Sequence, residues 1–124
     1  METLISVVDD DESVRDSTRT LLRSAGYKVA TFKSGELFLN SGTLSETECL
    51  ILDMRMPEMD GLEVQRRMSI ADAGMPIIFV TAHDDKRSRQ LAIDGGACDF
   101  FQKPFAASEF LAAIGAALRK GRCD

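Results

Sequence analysis

The chain is poor in the residues that build metal clusters and disulfide frameworks. It has three cysteines, Cys49, Cys98 and Cys123, an odd number with no CxxC or Cys/His spacing. That argues against a stapled secreted fold and against a zinc site. Cys49 and Cys98 read as small packing residues, and a reduced, cytoplasmic setting is expected. The one histidine, His83, has no second histidine to work with, so it reads as a loop residue rather than a metal ligand. Long apolar runs are missing too. Segments such as Ile77–Val80 fall far short of the about 18 residues needed to cross a bilayer, and the start of the chain lacks the basic, then apolar, pattern of a signal peptide. Basic residues are in the minority, 15 against 20 acidic ones, for a net charge of −5. Binding nucleic acid or an anionic membrane by bulk charge is therefore disfavoured. A metal cation or a basic patch on a partner fits better. There is no repeat, low-complexity tract or internal linker. The 124 residues, 44% of them hydrophobic, suit one domain with one substantial core.

Against those absences stands a regular alternation of short apolar runs and amphipathic stretches. Leu4–Val8 (LISVV), Tyr27–Thr31 (YKVAT), Cys49–Leu52 (CLIL), Ile77–Val80 (IIFV) and Cys98–Phe101 (CDFF) read as strands. After the first strand, Val14, Leu21, Leu22 and Ala25 share one face of a helix that begins among acids and stops at Gly26. Ser34 can cap a short helix through Phe38 and Leu39, and residues 40–48 are loop-like. Helices are predicted over Gly61–Ile70, with Leu62, Val64 and Met68 turned inward, over Asp84–Ile93 and over Ala107–Lys120. Five strands alternating with helices call for an α/β fold, a doubly wound parallel sheet with helices on both faces. The third and fourth strands are apolar throughout, as central parallel strands should be.

Such sheets bind ligands at the carboxyl ends of their strands. Strand one ends at Asp9 and Asp10, strand three at Asp53 and strand four at Thr81, and strand five leads to Lys103-Pro104. One pocket with three carboxylates, a hydroxyl and an ammonium is the prediction. Carboxylates this close repel unless a cation joins them, and oxygen ligands suit a hard divalent ion, above all Mg2+. A phosphoryl group carried on Asp53 would use every one of these groups. Taken singly each residue has a plainer role. Asp9 or Asp11 can cap a helix, Asp60-Gly61 can mark a turn, Thr81 can be a strand residue and Lys103 a surface charge. Their placement at four strand ends together favours the shared site.

The segments VVDDDESVR, LILDMRMPEMDGLE, IIFVTAH and GACDFFQKPF resemble the receiver domain of two-component response regulators, from about Leu4 to Leu118. The wording DMRMPEMDG and FVTAH is nearest to the FixJ-type subgroup. The resemblance implies a flavodoxin-like (βα)5 fold with strand order 2-1-3-4-5. It implies that Asp53 is the phosphoacceptor, that Asp9, Asp10, Asp53 and the backbone carbonyl of Arg55 bind Mg2+, and that Thr81 and Lys103 hold the phosphoryl oxygens. Lys103-Pro104 would be a cis peptide. Pro57 and Gly61 would shape the loop after Asp53, and Phe100 would pair with Thr81 as the aromatic of the switch. Arg55 and His83 would flank the phosphoryl group and tune its loss. The implied partner is a sensor histidine kinase, with a phosphorylation-dependent homodimer through helix four, strand five and helix five. DNA would be reached only through a C-terminal output domain. Residues 1–124 would then be a single receiver domain, excised from a longer chain or standing alone.

Three other readings fare worse. Aspartyl-phosphate hydrolases of the haloacid dehalogenase type carry a second aspartate two residues after the nucleophile, where this chain has Arg55. An interaction module that is never phosphorylated would be expected to lack one of Asp9, Asp10, Asp53, Thr81 and Lys103. A flavodoxin-like nucleotide binder would show a glycine-rich loop after strand one, where an acidic cluster stands instead. For the route of a signal, residues 84–90 (DDKRSRQ) are wholly polar. A helix anchored by Leu91, Ala92 and Ile93 alone is a candidate moving part. The alanines of the last helix fit either simple helix formation or a dimer contact. The methionines of the loop, Met54, Met56 and Met59, are expected to pack it against the domain.

Overall fold

The structure, a computed structural model, describes residues 3–71, 74–82 and 86–121. His83, Asp84, Asp85 and Cys123 lie outside the described residues. The elements run β1 (Leu4–Val8), α1 (Glu12–Ser24), β2 (Lys28–Phe32), α2 (Gly35–Leu39), β3 (Cys49–Asp53), α3 (Gly61–Ile70), β4 (Ile77–Thr81), α4 (Lys86–Asp94), β5 (Asp99–Gln102) and α5 (Ala107–Lys120). The strands form one sheet in the order β2-β1-β3-β4-β5, every neighbouring pair parallel.

The period of two along each strand divides the core between the sheet's faces. Leu50 and Leu52 of β3 point with Val8 and Phe79 into one layer, under Phe38 of α2, Val64 and Met68 of α3 and Ala92 of α4. Cys49 and Ile51 point with Ile5, Val7, Ile78 and Val80 into the other, beneath Leu22 of α1 and Phe110, Ile114 and Ala117 of α5. Hence β3 and β4 are buried at every position, while β2, an edge strand, is half-buried for most of its length.

Helix starts follow local chemistry. Asp11 accepts from the backbone N–H of Ser13 and Val14, Ser34 from Leu37, and Asp60 from Glu63, each satisfying donors that a first helical turn leaves open. Asp11 therefore plays the plainer capping role. Gly26, at φ 95°, follows α1 in the left-handed region.

Several boundaries differ from the sequence expectation. β2 starts at Lys28 because the amide of Tyr27 is taken by the carbonyl of Leu22, closing the turn after α1. β5 starts at Asp99. Residues 40–48 contain a short 3-10 turn, Leu44–Glu46. The buried stripe of α1 is Thr18 and Leu22, with Val14 and Leu21 half-buried, while Ala25 is exposed. Ala25 is the C-cap, so it has already left the helical stripe, and Thr18 lies one turn before Leu22. Cys49 is buried and its thiol is pushed up to about 12 by burial, which suits a packing residue. Cys98 packs against the α5 layer, but it is disulfide-bonded rather than a free thiol. Among the described residues, no helix is long and apolar enough to cross a membrane.

Candidate functional site

In a parallel sheet all carboxyl ends emerge on one edge, so residues distant in sequence meet there. Asp9 follows β1, Asp53 closes β3 and Thr81 closes β4. The carboxylate oxygens of Asp9, Asp10 and Asp53 approach within 4.8 Å of one another. Asp9, Asp53 and Thr81 are buried, and Asp10 is exposed. The loop after β5 brings in Lys103, whose ammonium lies 2.8 Å from Asp9 Oδ2 and 3.9 Å from Asp53 Oδ1. Its backbone amide donates to the carbonyl of Thr81 at 2.6 Å, so β5 pairing extends to the site. The Lys103-Pro104 peptide is cis.

The neighbourhood sets the electrostatics. Burial, followed by the negative charge of Asp9, raises the Asp53 carboxyl from its ordinary 3.8 to about 7, while Lys103 and the amide of Arg55 pull it the other way. That amide points at Asp53 Oδ1 across 3.4 Å. Asp9 Oδ1 accepts from the amide of Asp11 at 3.0 Å, and the guanidinium of Arg15 donates to the Asp9 carbonyl at 2.8 Å. The first acidic turn is thus held by its own backbone and by a cation one turn into α1. Arg15 carried no expectation from sequence, since an arginine on an amphipathic helix gives no local sign of where its head reaches.

The loop after Asp53 is fixed at both ends. The Asp53 strand end hands over at Met54, whose amide donates to the Val80 carbonyl and whose carbonyl accepts from Gly61. A Cβ on Gly61 would stand 2.6 Å from the Asp53 carbonyl oxygen and 2.8 Å from the Phe79 ring, so the loop closes only around a bare α-carbon. Met54 is buried, and Met56 and Met59 pack half-buried on the core. Pro57 is exposed, and Arg55 turns its side chain to the surface. Glu58 takes φ 68°, the left-handed region that non-glycine residues seldom adopt.

Phe100 does not stand at the acidic edge. It lies inward, 6% exposed, with its ring centroid 6.3 Å from that of Phe79 and the Arg89 guanidinium carbon 5.0 Å above its face.

Residues 5–115 match the response regulator receiver domain family. Over 116 residues the chain is 47% identical to the response regulator protein TodT of Pseudomonas putida, an alignment covering 94% of this chain and 51% of TodT. Among solved structures it is similar to the response regulator StyR, with TM-score 0.90 and 42% identity over 98% of this chain and 61% of that one. It is also similar to FixJ-N, with TM-score 0.86 and 32% identity over 96% of this chain and 95% of that one. The chain spans about half the length of the curated relatives it matches. The strand order, the acidic edge and these likenesses agree, and the chain belongs to the response regulator receiver domain family, on its FixJ-type branch.

Proposed function

We propose that this receiver is a phosphorylation-controlled switch, with Asp53 as the acceptor of a phosphoryl group from a sensor histidine kinase. The observation that carries the reading is the setting of Asp53: buried at the end of the central strand, facing Asp9 and within reach of Lys103. A buried carboxylate beside a second one, with one ammonium shared between them, is costly, and the cost has a use if the group must attack.

The donor set fits a hard divalent cation. Three carboxylates lie within 4.8 Å of one another, and Asp53 is held near 7 by burial and by Asp9, the signature of too few positive charges. Asp9, Asp10, Asp53 and the Arg55 carbonyl would hold Mg2+. When bound, it supplies charge neutralisation for the acidic edge and for phosphoryl oxygens.

The chain's own residues do the rest. A carboxylate oxygen of Asp53 forms the bond to phosphorus, and the bond to the donor breaks with its electron pair leaving on the donor nitrogen or oxygen. The Lys103 ammonium and the Thr81 hydroxyl take phosphoryl oxygens as charge-assisted hydrogen-bond donors. Met54, Met56 and Met59 keep water from one side of the acyl phosphate. The domain thus assists its own phosphorylation and dephosphorylation and turns over no separate substrate. The added charge draws Thr81 inward and shifts an existing equilibrium in the face made by α4, β5 and α5, with Phe100 as its aromatic member. That face serves a homodimer or an output domain. Residues 1–124 act as one receiver, and in a longer chain a DNA-binding domain follows, so DNA is reached only indirectly.

Intact mass after incubation with acetyl phosphate, with and without Mg2+, tests the reading on the parent and on Asp53→Ala. One phosphoryl adduct that requires Mg2+ and disappears in the variant is expected. An adduct that survives in Asp53→Ala would overturn the assignment of the acceptor.

A further inference from the structure

The two halves of α4 differ in burial. None of residues 86–91 is buried. A contact from that half to the core is the Arg89 guanidinium over the ring of Phe100. The other end is fastened several times over. Gly96, at φ 101°, lets the chain turn back, its amide donating to the Ile93 carbonyl and the Ala97 amide to the Ala92 carbonyl. This 5→2 and 6→1 pair is the Schellman closure of a helix, and Ala92 and Ala97 are both buried beneath it.

The second lone pair of the Ala92 carbonyl goes elsewhere. It accepts the side-chain amide of Gln65, from α3, at 2.9 Å in a buried setting. Gln65 is itself 7% exposed. Gly95 makes room for it: a Cβ there would stand 2.6 Å from Gln65 Oε1 and 2.9 Å from Nε2. A buried polar side chain, a carbonyl at a helix end and a glycine without which the two could not approach form one fitted joint between α3 and α4.

We propose that Gln65 is the positioning residue on which α4 pivots, fixing its C-terminal end to α3 while the half bearing Arg89 moves relative to Phe100. The inference rests on the switch reading above for the trigger, though not for the joint itself. A buried hydrogen bond to a helix-end carbonyl is lost only with a desolvation penalty, whereas residues 86–91, none of them buried, give up little apolar burial on moving. Reorganisation of the face would therefore start at the Arg89 end and stop at Ala92. The Gln65 side-chain amide is spent on the Ala92 carbonyl of α4, so it would shape the response without entering the phosphorylation chemistry.

Residue-resolved amide exchange by NMR on the whole chain tests this, with Gln65→Met keeping the volume and Gly95→Ala displacing the amide from the other side. Both variants should speed exchange at Gly95 and Ala97 by roughly tenfold, the worth of one buried hydrogen bond, and leave Ile51 and Ile78 of the central strands unchanged. On treatment with acetyl phosphate and Mg2+, verified by intact mass, the parent should alter protection at Gln90 and Leu91 but not at Gly95 to Ala97. In Gln65→Met the change should spread through Ala97, a readout that a merely structural role would not move. Unchanged exchange at Gly95 and Ala97 in both variants overturns the pivot. So does loss of protection at those amides in the phosphorylated parent. Absence of any adduct, with acetyl phosphate and with a phosphorylated histidine kinase alike, would sink the switch reading instead, and the exchange comparison of unphosphorylated proteins would still decide whether the joint exists.

Discussion

The ammonium of Lys103 lies 2.8 Å from Asp9 Oδ2, in an ion pair between residues 94 apart in sequence. It is closer to Asp9 than to Asp53, at 3.9 Å. The lysine therefore offsets the charge that raises Asp53 and also acts on Asp53 directly. Replacing Lys103 by Met removes a cause that lowers the Asp53 pKa, so that carboxyl rises further and less of it is ionised near pH 7. Phosphorylation by acetyl phosphate at pH 7 should slow by about tenfold or more, one unit of pKa being a factor of ten. The rate of adduct formation by mass checks this, and a rate equal to the parent's would remove Lys103 from the site.

The raised carboxyl also fixes the sign of a pH effect. Asp53 titrates near 7 folded and near its ordinary 3.8 unfolded. Between those values the folded state holds more protons, so stability falls as pH rises through the window and levels off above 7. Urea unfolding without Mg2+ should show the parent losing on the order of a few kcal/mol from pH 4 to pH 8 through this group. In Asp53→Asn that loss should be absent. Adding Mg2+ at pH 8 should stabilise the parent more than the variant. A parent and variant with the same pH slope would mean that Asp53 is not the raised group.

Gly61 is where the acceptor strand meets α3. A methyl group added there meets the Asp53 carbonyl and the Phe79 ring, neither of which can swing away. Gly61→Ala should cost about 1–3 kcal/mol, as overpacking of a close-packed site does. Its phosphorylation should fall as well, because the strain is delivered to the backbone of Asp53. Thermal melting and adduct yield read the two effects, and a variant that melts with the parent would contradict the contact.

One residue earlier, Asp60 caps α3 through the amide of Glu63 at 2.9 Å. Asp60→Ala should cost about 1 kcal/mol and lower the melting temperature by a few degrees, with Asp60→Asn near the parent. The alanine variant should still take up a phosphoryl group on Asp53, separating the cap from the chemistry.

Arg55 presents an exposed side chain two residues past the acceptor. If its bulk crowds the water that attacks the acyl phosphate, Arg55→Ala should shorten the phosphorylated half-life several-fold. Following the decay of the adduct by mass decides it, an unchanged half-life removing the arginine from that role.

The sequence by itself was enough for the alternation of elements, the two fully apolar central strands and the convergence of Asp9, Asp10, Asp53, Thr81 and Lys103. Each of these depends on local pattern plus one topological rule, that parallel strands present their carboxyl ends together. The bounds of α3 and α5 were legible for the same reason, since caps and periodicity are written within a few residues. What tertiary structure alone decided are the pairings across long separations. Thr18 lies in the core rather than Ala25 because the helix ends at Ser24. Phe100 points inward beneath Arg89, Arg15 reaches back to the Asp9 carbonyl, and Gln65, polar in a helix whose burial was expected from Leu62, Val64 and Met68, is buried against a carbonyl 27 residues away. No window of sequence shows a polar side chain its distant acceptor; only the packing of α3 on α4 does, because a buried amide is tolerated where its hydrogen bond is made.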